Sequence, residues 1–329
     1  MLDLPVIFVA LMSVAILAYV VLDGYDLGVG MLMPAGSSRE QNFMVSSIGP
    51  FWDANETWLV LGIGLLFVAF PSAYGVVLGA LYLPVAVMLI GLMLRGVAFE
   101  FRVKAEGWHR ELWNWLFWFG SFLASLAQGL MLGSYITGFE PGFGYFLFSL
   151  LVAGGLCGGY VLLGATWLIL RTEGELQRKA VAWTRWGLLW VALGVALVSI
   201  ATPLVSETVR LKWFDFPRTL GLMLLPTASI ATWLWVWALT GRMKRGQPVS
   251  EWKPFAGAVT IFLLAFLGLA YSLFPYIVID RITIWQGAAH PSALKVVLIG
   301  ALVVLPFIIG YTVFAYRVFR GKASEKLYD

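Results

Sequence analysis

The sequence predicts an all-α, polytopic membrane protein, and three of its features carry that reading. Hydrophobic residues fill 60% of the 329 positions, charged residues only 12%, and the mean hydropathy is +0.86. A soluble domain carries about 25% charged residues, so this chain lacks the polar surface that water requires. Its apolar residues gather into runs of the ~20 residues that a helix needs to cross a hydrocarbon core about 30 Å thick. The 35 glycines and 16 tryptophans suit helices packed through small residues and anchored by aromatic belts, whereas the strands of a barrel alternate polar and apolar positions.

Nine such helices are expected, roughly at 5–32, 51–70, 74–99, 112–134, 146–170, 183–201, 219–240, 256–278 and 294–316. The first follows Met1-Leu2-Asp3, with an acid where a signal peptide carries Lys or Arg. Its apolar run also outlasts a cleavable segment, so it reads as a retained helix. The second has only fourteen residues from Thr57 to Phe70 before Pro71. That is about 21 Å of helix, so the span must begin near Phe51. Loops are short throughout, and the chain reads as one integral membrane domain, 1–329, with neighbouring helices antiparallel.

An odd number of spans puts the termini on opposite sides. With the N-terminus outside, the inner segments hold sixteen Lys and Arg, from Arg39 through Arg102, Arg171 and Arg242 to Lys326. The outer loops hold five, Arg210, Lys212, Arg218, Arg281 and Lys295. Basic residues favour the cytoplasmic side, which selects N-out, C-in. The net charge of +4 does not imply nucleic acid, because these basic residues are scattered in short loops beside apolar runs. No nucleic-acid partner is expected.

One cysteine, Cys157, rules out a disulfide framework or a thiolate cluster made by this chain alone, and its Gly-rich apolar surroundings predict an inert buried thiol. Gly24-x3-Gly28, Gly75-x3-Gly79 and the cluster Gly154, Gly155, Gly158 and Gly159 predict close helix packing. The stretches Trp113-Trp115-Trp118 and Trp183-Trp186-Trp190 read first as interface anchors and second as a cofactor wall.

Placing an ionisable side chain in a membrane is costly, so each one inside a helix is a functional candidate. They are confined to the first three expected helices: Asp23 and Asp26 in the first, Asp53 and Glu56 in the second, Arg95 and Glu100 in the third. Both carboxylate pairs have i, i+3 spacing, which sets each pair on one helical face. In the N-out topology all six fall in the cytoplasmic half and build one acidic cluster open to the inner side. Arg95 can pair with a carboxylate but cannot neutralise four, so some of these acids should be protonated or wetted, as in a proton relay. Simpler readings stand beside this one. Residues 4–22 could span the membrane alone, leaving Asp23 and Asp26 interfacial, and Asp53 could merely cap its helix.

Two histidines, His109 in an inner loop and His290 in an outer loop, allow no bis-His or His/Met haem site within the bundle. There is no P-loop, dinucleotide fingerprint, HExxH or CxxC. No catalytic residue and no metal ligand is expected in this chain.

The segment Asp23-Gly24-Tyr25-Asp26-Leu27-Gly28-Val29-Gly30, followed by Gly49-Pro50-Phe51-Trp52-Asp53-Ala54-Asn55-Glu56-Thr57-Trp58-Leu59, resembles the two signature segments of subunit II of cytochrome bd-type quinol oxidases. Arg95 to Arg102, and Gly164 to Leu168 with Arg171 to Gly174, add two further similar segments. The resemblance extends over the whole chain. Arg171 departs from it mildly, standing where Lys is more usual, and the short stretch between helices six and seven is similar to the cyanide-insensitive branch.

The resemblance implies nine helices arranged as two four-helix bundles plus one peripheral helix, paired with a like-folded subunit I. That partner would carry haems b and d and the quinol-oxidising loop, with no cofactor bound by this chain alone. A structural quinone in subunit II and small single-helix subunits are further expectations. The complex would sit in the bacterial cytoplasmic (inner) membrane, oxidise quinol at the outer side and reduce dioxygen to water electrogenically, with protons drawn from the cytoplasm. On that reading the chain scaffolds subunit I and contributes a proton path through Asp23, Asp26, Asp53 and Glu56, with Arg95 and Glu100 as charge partners.

A proton- or cation-coupled secondary transporter is the alternative, since carboxylates beside Gly-interrupted helices also suit ion coupling. Transporters tend to show broken helices in both halves, whereas here the charge lies in the first three helices only. Reporter fusions after Glu173 and after Arg317 are expected to report the cytoplasm, and fusions within 207–215 the outside. The reverse pattern would overturn the orientation and the side assigned to the acidic cluster.

Overall fold

A computed structural model of the chain describes residues 3–324; Met1, Leu2 and Lys326, used above, lie outside the described residues. The path runs α1 Leu4–Leu32, a 3-10 turn Met33–Ala35, α2 Ser38–Ile48, α3 Trp52–Ala69, α4 Pro71–Lys104, α5 Gly107–Ile136, α6 Phe143–Arg171 and α7 Gly174–Val205. It continues through α8 Glu207–Trp213, α9 Arg218–Leu222, α10 Leu224–Lys244, α11 Trp252–Leu273, the antiparallel strands β1 Tyr276–Val278 and β2 Ile282–Thr283, α12 Ile284–Gly287 and α13 Pro291–Val318. Among the described residues, eight spans are long and apolar enough to cross a membrane, and α2 with α3, bent by 51° at their junction, make a ninth when counted together.

Helices α4, α5, α6, α7 and α13 run beyond both expected ends, by as much as nine residues at the start of α7, whereas α1 and α3 lie within a residue of theirs. Prolines open α1, α4 and α13, where a missing N–H removes no bond. Three differences have clear causes. Between the first two spans lies α2, started by a capping box in which Ser37 N donates to Glu40 Oε2 at 2.7 Å and Glu40 N to Ser37 Oγ. It is too polar to stand out in a search for apolar runs. The expected eighth helix, 256–278, ends instead at Leu273, because Pro275 lacks the N–H that would continue it; residues 276–278 form β1. The expected seventh begins in two pieces, α9 and α10, separated at Met223. Cys157 is half-buried rather than buried.

Helix α1 is the centre of the packing, in contact with α3, α5 and α6. It reaches α6 through glycine: a Cβ on Gly28 would lie 1.8 Å from the Tyr160 carbonyl oxygen, and one on Gly164 would lie 2.4 Å from Gly28 C. Helix α4 lies along α5, α5 along α6, and α6 along α7 and α11, while α10 joins α11 and α7. Helix α13 touches α1 and α3 only lightly, and none of its apolar window is buried. The Gly75-x3-Gly79 pair does not pack as expected. Both residues face outward, with nothing within 4 Å of their Cβ positions, as does Gly154, whereas Gly155, Gly158 and Gly159 meet α7 and α11.

The turns gather at two ends. At one, Lys179 pairs with Glu40 at 2.8 Å, Lys322 with Glu251 at 2.6 Å, and Arg171 Nη1 donates to the Phe319 carbonyl at 2.7 Å. At the other, Asp3 accepts from Trp285 Nε1, Arg281 pairs with Glu140, and the Tyr135 hydroxyl donates to the Ile277 carbonyl. Gly28→Ala is expected to lower the melting midpoint of the purified protein, at a cost of about 1–3 kcal/mol for overpacking. Gly79→Ala should leave it unchanged or raise it by up to about 1 kcal/mol of helix propensity. Equal melting of the two variants would contradict the α1–α6 contact.

Candidate functional site

The site lies where α1, α3, α4 and α13 converge. Arg95 on α4 is 1% exposed. Its Nη1 donates to Asp23 Oδ1 at 2.6 Å and its Nη2 to Glu56 Oε1, so a single guanidinium bridges α1 and α3. One turn from Asp23, Asp26 accepts from Asn55 Nδ2 at 2.8 Å. Asn55 also lies 2.9 Å from the Tyr25 hydroxyl, and its Oδ1 accepts from the Tyr316 hydroxyl at 3.2 Å. Tyr25 and Tyr316 share a 2.6 Å hydroxyl contact that ties α13 to α1. Asp23 and Asp26 are both fully buried, and in each one carboxylate oxygen is held while the other, Asp23 Oδ2 or Asp26 Oδ1, has no hydrogen-bond partner among the described residues.

Beyond Asp23 the polar groups are neutral. The Tyr19 hydroxyl accepts from Gln128 Nε2 at 2.8 Å, and Gln128 Oε1 accepts from the Tyr160 hydroxyl at 2.6 Å, which carries the network from α1 through α5 to α6. Around Asn55 and Tyr25 the walls are aromatic: Tyr25 stacks on Trp167 at 4.2 Å and Phe51 on Tyr316 at 4.5 Å. Arg171 closes this side, its guanidinium 5.4 Å from the rings of both Phe51 and Trp167.

The expected six-member cluster is thus divided. Asp23, Asp26, Glu56 and Arg95 come together, with Glu56 30% exposed. Asp53 and Glu100 are exposed neighbours outside the ion-paired core, and Glu100 does not pair with Arg95. Asp53 does not cap α3 either, since the N-cap is Phe51 and receives no side-chain bond. His109 lies exposed in the first turn of α5 rather than in a loop, and His290 caps α13 through a bond from Ser292 N. Among the described residues there is no group of three His, Cys, Asp or Glu disposed to hold a metal ion.

Sequence reasoning passed over Asn55, Tyr25, Tyr316, Gln128 and Tyr160. Asn55 and Tyr25 were within the quoted signature segments, where a neutral polar residue among acids was the available signal. The other three sit in long apolar helices, and no pattern marks them.

These features define a polytopic helical membrane protein with a buried charge network. The family model for cytochrome bd terminal oxidase subunit II matches residues 4–319, and the chain belongs to that family. It is therefore a subunit of an oxidoreductase complex and a multi-pass protein of the bacterial inner membrane. It is 29% identical over 336 residues to the cytochrome bd ubiquinol oxidase subunit 2 of Bacillus subtilis (strain 168), covering 96% of each chain. It is 28% identical over 363 residues to the cytochrome bd-I ubiquinol oxidase subunit 2 of Escherichia coli (strain K12), covering 96% of this chain and 94% of that one. Its fold is similar to a chain in the structure of bd oxidase from Geobacillus thermodenitrificans, with a TM-score of 0.78 at 17% identity over 97% and 99% of the two chains.

Removing one partner of a buried ion pair leaves a bare charge. Arg95→Met is therefore expected to destabilise the fold by about 3–5 kcal/mol, read as loss of melting midpoint or of recoverable protein. Adding Asp23→Asn and Glu56→Gln should restore much of the loss. A triple variant no better than the single one would show that Arg95 acts through packing instead.

Proposed function

We propose that this chain is the haem-free subunit of a bd-type quinol:dioxygen oxidoreductase of the aerobic respiratory chain, that it scaffolds the haem-bearing subunit, and that it supplies protons from the cytoplasm. The observation that carries the proton reading is the buried Asp23–Arg95–Glu56 bridge with Asp26 beside it, in which two carboxylate oxygens have no hydrogen-bond partner among the described residues. A membrane protein retains such a costly group of charges where ions or protons must pass.

On this reading the chain is one integral membrane domain, N-out and C-in. The contacts of α1, α3, α4 and α5, and of α6, α7, α10 and α11, support two four-helix bundles with α13 peripheral. The outward apolar faces of α4 and α13, including the open Gly75 and Gly79, suit a partner packed closely against them. Both histidines being exposed supports a chain that offers no interior axial pair. A half-open, largely apolar cavity of about 390 Å³ between α4, α5 and α6, lined by Leu81, Val87 and Leu130 with Ser134, Tyr145 and Glu140, is the place a structural quinone would fit.

When bound in the partner, the haems supply the reduction of dioxygen; this chain's residues move and hold protons. Asp53 and Glu100 collect protons at the exposed face. Glu56, held to Arg95 and 30% exposed, takes one next and passes it inward. The open oxygens of Asp23 and Asp26 accept the proton further in, while Asn55 and Arg95 fix the rotation of the two carboxylates.

Asp53→Asn is expected to assemble with the haem subunit and to slow oxygen consumption several-fold. Asp23→Asn and Asp26→Asn should show weaker versions, with double variants less than additive because one path cannot be interrupted twice. Full oxygen consumption by an assembled Asp53→Asn enzyme rejects the relay at that residue.

A further inference from the structure

At the inner end of α4 and α5 two guanidiniums meet, neither of them ion-paired among the described residues. Arg102, 1% exposed, follows Arg95 on the same face of α4, seven residues or about 10 Å further along the helix. Its Nη2 donates to Asn42 Oδ1 at 2.8 Å and its Nε to Asn114 Oδ1. Arg110, from the first turn of α5, donates to that same Asn42 oxygen. Asn114 in turn donates to Gln41 Oε1 at 2.7 Å, and Gln41 Nε2 donates to the Met33 and Gly36 carbonyls, which fixes α2 beside the pair.

Every acceptor around these two cations is a neutral amide oxygen. Among the described residues, neither arginine has a carboxylate partner, whereas Arg95, Lys179 and Lys322 in the same half all do. Two like charges converging on one oxygen, one of them withdrawn from water, form a site that an anion would stabilise.

The surroundings say which anion. Phe101, Trp108, Leu112 and Trp115 are 57%, 67%, 42% and 57% exposed, and Trp113 stacks on Phe101 at 5.2 Å. Aromatic and aliphatic side chains exposed beside a basic pair at a helix end match the headgroup level of a bilayer, with acyl chains below. We propose that Arg102 and Arg110 form a binding site for the phosphate of an anionic phospholipid, whose acyl chains lie along Phe101, Leu112 and Trp115. Lys104 adds an exposed cation at the same helix end. The proposal is independent of the proton path.

The test is a lipid titration of the purified, detergent-solubilised oxidase complex, read as the melting midpoint of the complex. Dioleoylphosphatidylglycerol, dioleoylphosphatidylcholine and inorganic phosphate are the three probes. The anionic lipid is expected to raise the midpoint by about 2–4 °C more than the zwitterionic one. Arg110→Gln, at a half-exposed position, should abolish that difference, as should Arg102→Gln if it assembles. Arg178→Gln, an exposed basic residue elsewhere on the inner end, should retain it. Equal shifts for both lipids, an unaltered difference in Arg110→Gln, or an equal loss in Arg178→Gln would each overturn the site. The same shift from inorganic phosphate would overturn the lipid as its ligand.

Discussion

The bridge from Arg95 to Asp23 and Glu56 is the constraint on which the rest of the molecule depends. An uncompensated guanidinium inside a membrane span costs up to about 3 kcal/mol, a cost offset here by the two carboxylates within its reach. That pairing fixes the rotation of α1 and α3 against α4. Turning α1 by one residue, about 100° in a helix of 3.6 residues per turn, would carry Asp23 off the arginine. With Asp23 set toward α4, Gly24 and Gly28 face α6, and the glycine contact with Tyr160 and Gly164 can close. With Glu56 set toward Arg95, Asn55 turns inward beside Asp26 and meets Tyr316 from the last helix. The ion pair thus orients helices that it does not itself touch.

What the sequence made legible follows from which physical costs leave a trace in it. Lipid allows few polar residues along a span, so the apolar runs marked the long helices, though their polar end turns went unread, by nine residues at the start of α7. A charge inside such a run stands out, and Asp23, Asp26, Glu56 and Arg95 were all visible as members of one site. Neutral polar residues leave hydropathy almost unchanged, so Gln128, Tyr160 and Tyr316 were invisible. Tyr316 also acts across 261 residues, on Asn55, a separation no local pattern encodes.

Asp53 shows the limit of periodicity. Three residues of helix turn through about 300°, leaving Asp53 and Glu56 some 60° apart on the helix surface. That is enough to put one at the edge of the packed face and the other beyond it. The small-residue repeats fail for a related reason. Gly24-x3-Gly28 and Gly75-x3-Gly79 read alike, yet one faces a neighbouring helix and the other faces outward. Spacing records that a face is smooth and does not record what lies against it. The helix α2 was missed because its amphipathic sequence carries no full apolar run, although Pro34 and Gly36 stand directly before its capping box.

The division between charged and neutral groups has a consequence for the two buried aspartates. Asp23 has Oδ1 held by Arg95 and Asp26 has Oδ2 held by Asn55, while the second oxygen of each has no hydrogen-bond partner among the described residues. A carboxylate with both oxygens bound would be stabilised as an anion and slow to take up a proton; one with neither bound would be free to rotate. Holding one oxygen fixes the plane of the group, and leaving the other open preserves an acceptor. The holding groups differ as well. Arg95 holds Asp23 through a charge-assisted bond, whereas the Asn55 amide that holds Asp26 is neutral. Two carboxylates one helical turn apart are thereby made unequal. On the proposed reading Asp23 belongs to the charged bridge and Asp26 to the neutral Asn55–Tyr25–Tyr316 group, so the path passes from a charged to a neutral set of partners.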